Sequence, residues 1–512
     1  MASKPPPWSN TPATQTEGSA RVANGLPSLQ SVLKRSLDAS EGQKSLHVVA
    51  PGGDLILEYI DESSAAEPMC WQVASESLAT KSPYFSALLH PEKFAEGRYL
   101  SQHRQGLNDD LDSQLNTRAS GEIGLPKIQI PASRVIQLCG SEALGLFLQA
   151  LCLDSMTDRE VETFKNGLKN ETPSAVAKFI HIADAFNSPS VAYDLLKNEY
   201  LFGRKDNTRA FRRFDTALLR LKEDRVRQII MISIFLKEYS IARTMMHSLL
   251  LGGSRLWVHG VEVPSSEYLQ WQYLPNGIEE ELYSRRQFVL NTITDLQAHF
   301  LRVYGALEDT EEPKPAPVRP SLGLAFSTST PNRSFQCRAG LDNASQCDLF
   351  QLGQMTRFFA MRAKTIFLGS NLLDPDFDLD DSENEADDVD QDRALAALPS
   401  DILALITSLK QFPDYQIDMN HGSCGVRRRL LPILPCIEKY LLDPGALLGI
   451  DLHTWSQQPN DQRWKKRRRQ HKVEIRFEKI VKVEFPHQQP RVPLPSEDAA
   501  LLFTARKRNW EA

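Results

Sequence analysis

The chain has 512 residues, of which 41% are hydrophobic and 24% charged, with a formal net charge of −6. That length favours about 2–4 compact units with room for a sizeable core, and the acidic balance argues against general nucleic-acid binding by the whole chain. No apolar run approaches the ~18 residues of a membrane span, the N-terminal residues lack a signal-peptide core, and seven scattered cysteines make no disulfide scaffold; an intracellular, soluble protein of nucleus or cytoplasm is expected.

Residues 1–45 are rich in Pro, Ser, Thr and Asn and read as a disordered tail. In GDLILEYI, starting at Gly53, residues Leu55, Ile56, Leu57, Tyr59 and Ile60 form a nearly continuous apolar run, as expected for a strand covered on both faces. A second strand is predicted at Cys70 to Val73, followed by two closely spaced helices. Ser75 can cap the first, and Pro83, after Ser82, suits the first position of the second because its missing N–H would be unpaired there anyway. Tyr84, Phe85, Leu88 and Leu89 give that second helix one apolar face. The polar stretch Arg98 to Gly124 reads as a disordered loop. Ile128, Ile130 and Val135 then predict another strand and turn. Ala143, Leu144, Phe147, Leu148 and Leu151 mark one amphipathic helix, and Val176, Phe179, Ile180, Ala183 and Phe186 another.

Residues 201–306 read as helical, ending in a long helix from Ile278 to Tyr304. There Val289, Ile293, Leu296, Phe300 and Val303 recur at heptad-like spacing, fit for a partner helix or, more simply, for a bundle core. A Pro-, Ser- and Thr-rich linker occupies 307–332. Residues 333–512 form a helical C-terminal region with Leu349, Leu352, Met355, Phe358 and Phe359 as a core face. It contains a solvated acidic tract at 374–392, further helix at Leu395 to Leu409 and Val426 to Leu447, and alternating short strands within 473–485.

Across 46–200 the order strand, strand, paired helices, strand, helix and then AVAKFIHIADAFNSPSVAYDLL resembles the BTB/POZ domain, a protein-interaction fold. The resemblance implies an α+β fold with a small sheet flanked by helices, closed by a helical hairpin over Phe179 to Leu196. It also implies homo- or heterodimers, for which Leu46 to Val49 is the available leading strand. Two features depart from the family: Trp71-Gln72-Val73 stands where a histidine often enters the first helix, and the polar insertion 98–124 interrupts the usual run. In the family's ubiquitin-ligase adaptors a hydrophobic-x-Glu element contacts a cullin, which points to Phe94 and Glu96 here.

Two further constellations carry chemistry. Cys337 and Cys347 lie in CRAGLDNASQC, and His421 and Cys424 in HGSC. Two thiolates from one loop with an imidazole and a thiolate from another can complete a tetrahedral zinc shell, a structural site with no open position. The same residues also read as ordinary small side chains and a surface or capping histidine. Some fungal BTB-containing proteins are similar here, with a Cys…Cys-Asp…Leu-Gly segment and a later H-x-x-C, matched by Cys347-Asp348, Leu352-Gly353, His421 and Cys424. The second constellation is RWKKRRRQHK, whose Lys465, Lys466, Arg467, Arg468 and Arg469 fit nuclear-import recognition, a phosphate-contacting patch or a solvated charged face. No Walker loop, G-x-S-x-G or H-E-x-x-H is present, and no enzyme is expected. The sequence reads as a protein-interaction scaffold, with a cullin adaptor as the alternative.

Overall fold

The computed structural model describes residues 46–60, 68–113, 124–131, 133–200, 202, 210–258, 260–264, 268–306, 336–337, 343–362, 401–422, 424–455, 475–476, 495–505 and 508–510. The N-terminal tail, the linker and the acidic tract lie outside these residues. So does most of the 473–485 stretch.

Four strands open the fold: β1 (Leu46–Val48), β2 (Leu55–Tyr59), β3 (Met69–Val73) and β4 (Lys127–Gln129). They form one mixed sheet in the order β1-β3-β2-β4. β2 runs antiparallel to β3 and parallel to β4, with Leu57 opposite both Trp71 and Ile128. Leu55 and Leu57 are buried, and neighbouring Ile56 nearly so, which explains the unbroken apolar run: β2 is central and covered on both faces. The turn into β2 requires a glycine, since a Cβ on Gly53 would stand 2.6 Å from the Val73 carbonyl oxygen.

Helices α1 (Ser75–Lys81) and α2 (Pro83–Leu88) follow β3. Ser75 is the first residue of α1 rather than its cap; its N–H and hydroxyl both donate to Asp54, each at 2.8 Å. At α2 the expected arrangement holds, with Ser82 Oγ accepting from Phe85 N–H and Pro83 opening the helix. The stretch expected to be a loop is helical through most of its length, as α3 (Ala95–Ser113). Residues 114–123 lie outside the described part. Arg104 on α3 donates to both Asp54 and Ser75, and Leu100, one turn earlier on the same face, is buried. Two anchors a turn apart fix a segment too polar to register as helix by periodicity. Burial favours the protonated Asp54 carboxyl, but the hydrogen bonds from Ser75 and Arg104 outweigh it and hold the group below the usual carboxylate range.

Beyond β4 come α4 (Arg134–Cys139), which takes in Val135, α5 (Ser141–Leu151), α6 (Asp158–Lys169), α7 (Pro173–Ala185) and α8 (Pro189–Glu199). The expected amphipathic helices are α5 and α7. Phe85, Phe147, Phe179 and Phe186 join α2, α5 and the α7–α8 turn; ring centroids are 5.4 Å apart for Phe85–Phe186 and for Phe147–Phe186. Ser82 Oγ–H donates to the Phe186 carbonyl at 3.0 Å, closing the same junction.

The rest is mainly helical: α9 (Glu223–Phe235), α10 (Tyr239–Gly252), α11 (Ile278–Val303), α12 (Ala344–Arg357), α13 (Ile402–Lys410), α14 (Leu434–Leu441) and α15 (Pro495–Thr504), with one short strand, Ile475–Arg476, inside the expected 473–485 stretch, paired parallel with Arg508–Asn509. The class is therefore α+β. All described residues belong to one compact unit, Lys44–Ala512. α7 packs on α9, and α11 packs on both α10 and α15. Val289, Ile293, Leu296 and Phe300 are buried inside this bundle, so the heptad-like spacing of α11 serves the core. On α12 and the turn after it, Met355, Phe358 and Phe359 are buried as expected, together with Cys347 and Gln351, whereas Leu352 is half-buried and Leu349 is exposed. Among the described residues, no helix is long and apolar enough to cross a membrane.

α10 meets the segment 441–449 at close range. A Cβ on Gly449 would overlap the Arg243 carbonyl oxygen, so glycine is needed there. Fully buried His247 spans the same contact: Leu448 N–H donates to its Nδ1 at 3.2 Å, and its Nε2 faces the Leu441 carbonyl at 3.0 Å. A donor on Nδ1 and an acceptor at Nε2 select the neutral, Nε2-protonated ring. Burial accordingly pushes the His247 pKa down to about 4. An unfolded histidine titrates near ~6.5, so the unfolded chain takes up the proton first and stability falls as pH drops from about 6.5 towards 4. Lowering the pH from 7 to 5 should remove about 2 kcal/mol through this group. Urea midpoints at the two pH values read it, and H247Q should shed that part of the slope.

Candidate metal centre

Three cysteines from three separate segments converge beside the C-terminal end of α11. Cys347 sits in the first turn of α12, its N–H bonded to the Asn343 carbonyl at 3.0 Å, and is fully buried. Cys337 is half-buried in a short segment ahead of α12, and Cys424 is buried just after the helical turn Met419–His421. The three sulfurs all lie within 4.8 Å of one another. Cys337 Sγ and Cys424 Sγ are 3.6 Å apart. The sulfur–sulfur edge of a tetrahedron with ~2.3 Å zinc–sulfur bonds is about 3.8 Å, so this spacing fits a shared cation.

His421 is fully buried but not among the side chains in that 4.8 Å group. Its Nδ1 lies 2.8 Å from Asp418 Oδ1, and its Nε2 is buried without a hydrogen-bond partner. With Nδ1–H donating to the carboxylate, Nε2 carries the lone pair, the state of a histidine prepared to ligate. The bond to His421 is the largest influence holding the Asp418 carboxyl below its usual range. Asp348 Oδ1, Asn343 Oδ1 and Gln351 Oε1 are likewise buried and unpartnered in α12 and its leading turn. A buried polar group left unpaired is costly, and bound water is one partner that can meet it.

A shell of fixed groups surrounds the sulfurs. Gln336 N–H donates to Asp348 Oδ2 at 2.9 Å, and Arg429 donates to Gln336 Oε1 at 2.7 Å. The Arg429 guanidinium also lies 5.7 Å from the Phe300 ring centre, over the end of α11. Tyr304 O–H donates to the Cys424 carbonyl at 3.3 Å, and Gln351 Nε2–H donates to the Tyr415 carbonyl at 2.6 Å. Burial, then the neighbouring sulfurs of Cys337 and Cys424, push the Cys347 thiol up to about 12. A divalent cation reverses that preference, because its charge favours the thiolate.

Three of the four predicted ligands thus meet, and the fourth is buried within the same turn with its free nitrogen unpartnered. Sequence spacing missed Asp418, Gln336 and Arg429. Asp418 could have been found, since D-x-x-H places a carboxylate one helical turn ahead of a histidine. Phe94 and Glu96 form a separate surface: Phe94 is 48% exposed immediately before α3, Glu96 sits in the first turn, and Tyr99 is 46% exposed one turn on. Lys465, Lys466, Arg467, Arg468 and Arg469 lie outside the described residues. Of the other thiols, Cys70, Cys139 and Cys152 are buried and Cys436 is half-buried. Comparison with protein-family models, curated proteins and solved structures finds no match for the chain.

Proposed function

We propose that the chain is a non-catalytic protein-interaction scaffold with a BTB/POZ-like unit in its N-terminal half. In its C-terminal half, one structural zinc is bound by Cys337, Cys347, Cys424 and His421. The observation that carries the platform reading is the element order. A β2–β3 hairpin leads into the α1–α2 pair, β4 returns parallel to β2, and the α7–α8 hairpin packs through Phe186 onto α2. That is the order on which the family resemblance rests. The sheet also ends on β1, whose Leu46 and Val48 are 45% and 56% exposed, a strand edge able to take a second copy or another protein.

The zinc reading is supported by the 3.6 Å sulfur pair, the third buried sulfur and the Asp418–His421 contact that leaves Nε2 available. A cation joining these groups would pin the Cys337 segment and the 418–424 turn to α12. Its role there is structural, because four protein ligands fill the coordination shell. The adaptor reading is favoured by the exposure of Phe94 immediately before α3, with Glu96 in its first turn.

For the metal, full-length protein purified under reducing conditions should carry one zinc per chain, and D418N should weaken binding about 10–100-fold by releasing the His421 ring. Absence of bound metal would contradict the zinc reading. For partners, a pull-down from native cells should recover other proteins or further copies of the chain. A cullin lost at least tenfold on combined F94A and E96A substitution would establish the adaptor form; recovery of partners without a cullin would leave the scaffold alone, and recovery of none would contradict both.

A further inference from the structure

The three sulfurs of the candidate centre differ in access. Cys347 is fully buried and Cys424 is 4% exposed, while Cys337 is half-buried. An oxidant arriving from solvent therefore meets Cys337 first. The sulfur of Cys424, 87 positions away in sequence, lies 3.6 Å from it in space. A disulfide needs about 2.05 Å between sulfurs, so the gap to close is about 1.5 Å. One side of that gap is a short segment, held by Gln336 through its N–H on Asp348 and its side chain on Arg429.

We propose that Cys337 and Cys424 form a peroxide-reactive pair, with Cys337 as the attacking thiol and Cys424 as the resolving one. The Cys337 sulfur attacks one oxygen of hydrogen peroxide; the O–O bond breaks, water leaves and Cys337 becomes a sulfenic acid. The Cys424 sulfur then attacks the Cys337 sulfur. The S–O bond breaks, and hydroxide leaves with the Cys424 proton as a second water. Two thiols lose two electrons in total, and one peroxide is reduced to two waters. The pair rests on sulfur geometry alone, whereas its consequence for the metal rests on the zinc reading above. Oxidation removes two of the four ligands at once, and Cys347 with His421 are too few to retain zinc. The site would thus join metal retention to redox state, loosening the Cys337 segment when oxidised.

The test uses full-length protein, as purified and after metal removal, exposed to less than one equivalent of hydrogen peroxide. Differential alkylation and peptide mass spectrometry identify the modified thiols. The expected product is a Cys337–Cys424 linkage that dithiothreitol reverses, while half-buried Cys436 stays reduced. In C424S the Cys337 sulfenic acid should be trapped by dimedone, and in C337S the loss of the Cys424 thiol should slow at least tenfold. A dominant Cys337–Cys347 linkage, sulfinic acid on Cys337 without any linkage, or oxidation of Cys436 as fast as Cys337 would overturn the proposal. All of these product readings are available on the wild-type chain even where a variant fails to fold. A chromogenic chelator reads zinc in the same samples. One zinc released per linkage supports the coupling, and zinc retained in the linked protein overturns it. Linkage in a chain that never held metal leaves the thiol pair standing and removes the zinc reading.

Discussion

The described fold is organised around one buried ion pair. Arg227 on α9 is 1% exposed and Glu279 at the start of α11 is fully buried. They meet through two parallel hydrogen bonds, at 2.9 and 2.7 Å. Desolvating two charges is expensive, and it is offset only where the remaining donors and acceptors are met. Here they are. Arg227 also donates to Glu223, Ser254 and the Gln272 carbonyl, and Glu279 accepts from Trp257 Nε1–H and Leu274 N–H. The network ties the start of α11 to α9.

From that start, α11 presents a succession of buried polar contacts that position the C-terminal half. Arg285 donates to the Leu448 and Gly449 carbonyls. Arg286 donates to those of Leu250 and Leu251, where a cation favourably meets the C-terminal end of α10. Burial draws the Arg286 pKa down to about 10, still high enough for it to be charged at neutral pH. Asp295 accepts from Arg508 and Trp510 near the chain end. Phe300 and Tyr304 then reach the shell of the candidate centre. The sulfur cluster is consequently assembled by elements that α11 aligns, and a metal would reinforce an arrangement the helix already sets. The N-terminal sheet joins the same body through α7, which packs against α9, so the interaction platform and the cysteine site share one core.

Much of this was legible in sequence where apolar periodicity speaks. The Leu55–Tyr59 strand, the apolar helix around Phe147 and the helix from Pro173 all follow from spacing, because each buries a continuous face. α3 was hidden because Leu100 and Arg104 supply its anchors amid polar neighbours, and a salt bridge to Asp54 has no periodic signature. Arg227 and Glu279 were hidden for a related reason: charged residues read as surface. Arg227 does share a helix face with Ile230 and Ile234, a pattern that places a charge on the inward side. Three metal-ligand candidates came from cysteine spacing. Their pairing could not, because Cys337 lies nearer Cys424 than its position in sequence implies, and that proximity is made by the tertiary fold. The buried polar atoms around them became visible only once burial was known.

Double-mutant analysis of the ion pair tests this account most directly. E279Q removes one of the two carboxylates that face buried Arg227 and leaves Glu223 as the other; it should lower stability by about 3 kcal/mol, with R227M at least as costly because it strands buried Glu279. The combination R227M with E279L removes both charges but also the partners of Glu223, Ser254, Trp257 Nε1–H and Leu274 N–H, so it should remain destabilised yet cost clearly less than the sum of the two single substitutions. In E279Q, hydrogen exchange should also accelerate together in α9, α10 and the 441–449 segment. Single substitutions within about 0.5 kcal/mol of wild type, with exchange unchanged beyond α9, would contradict the claim that this pair ties the start of α11 to α9.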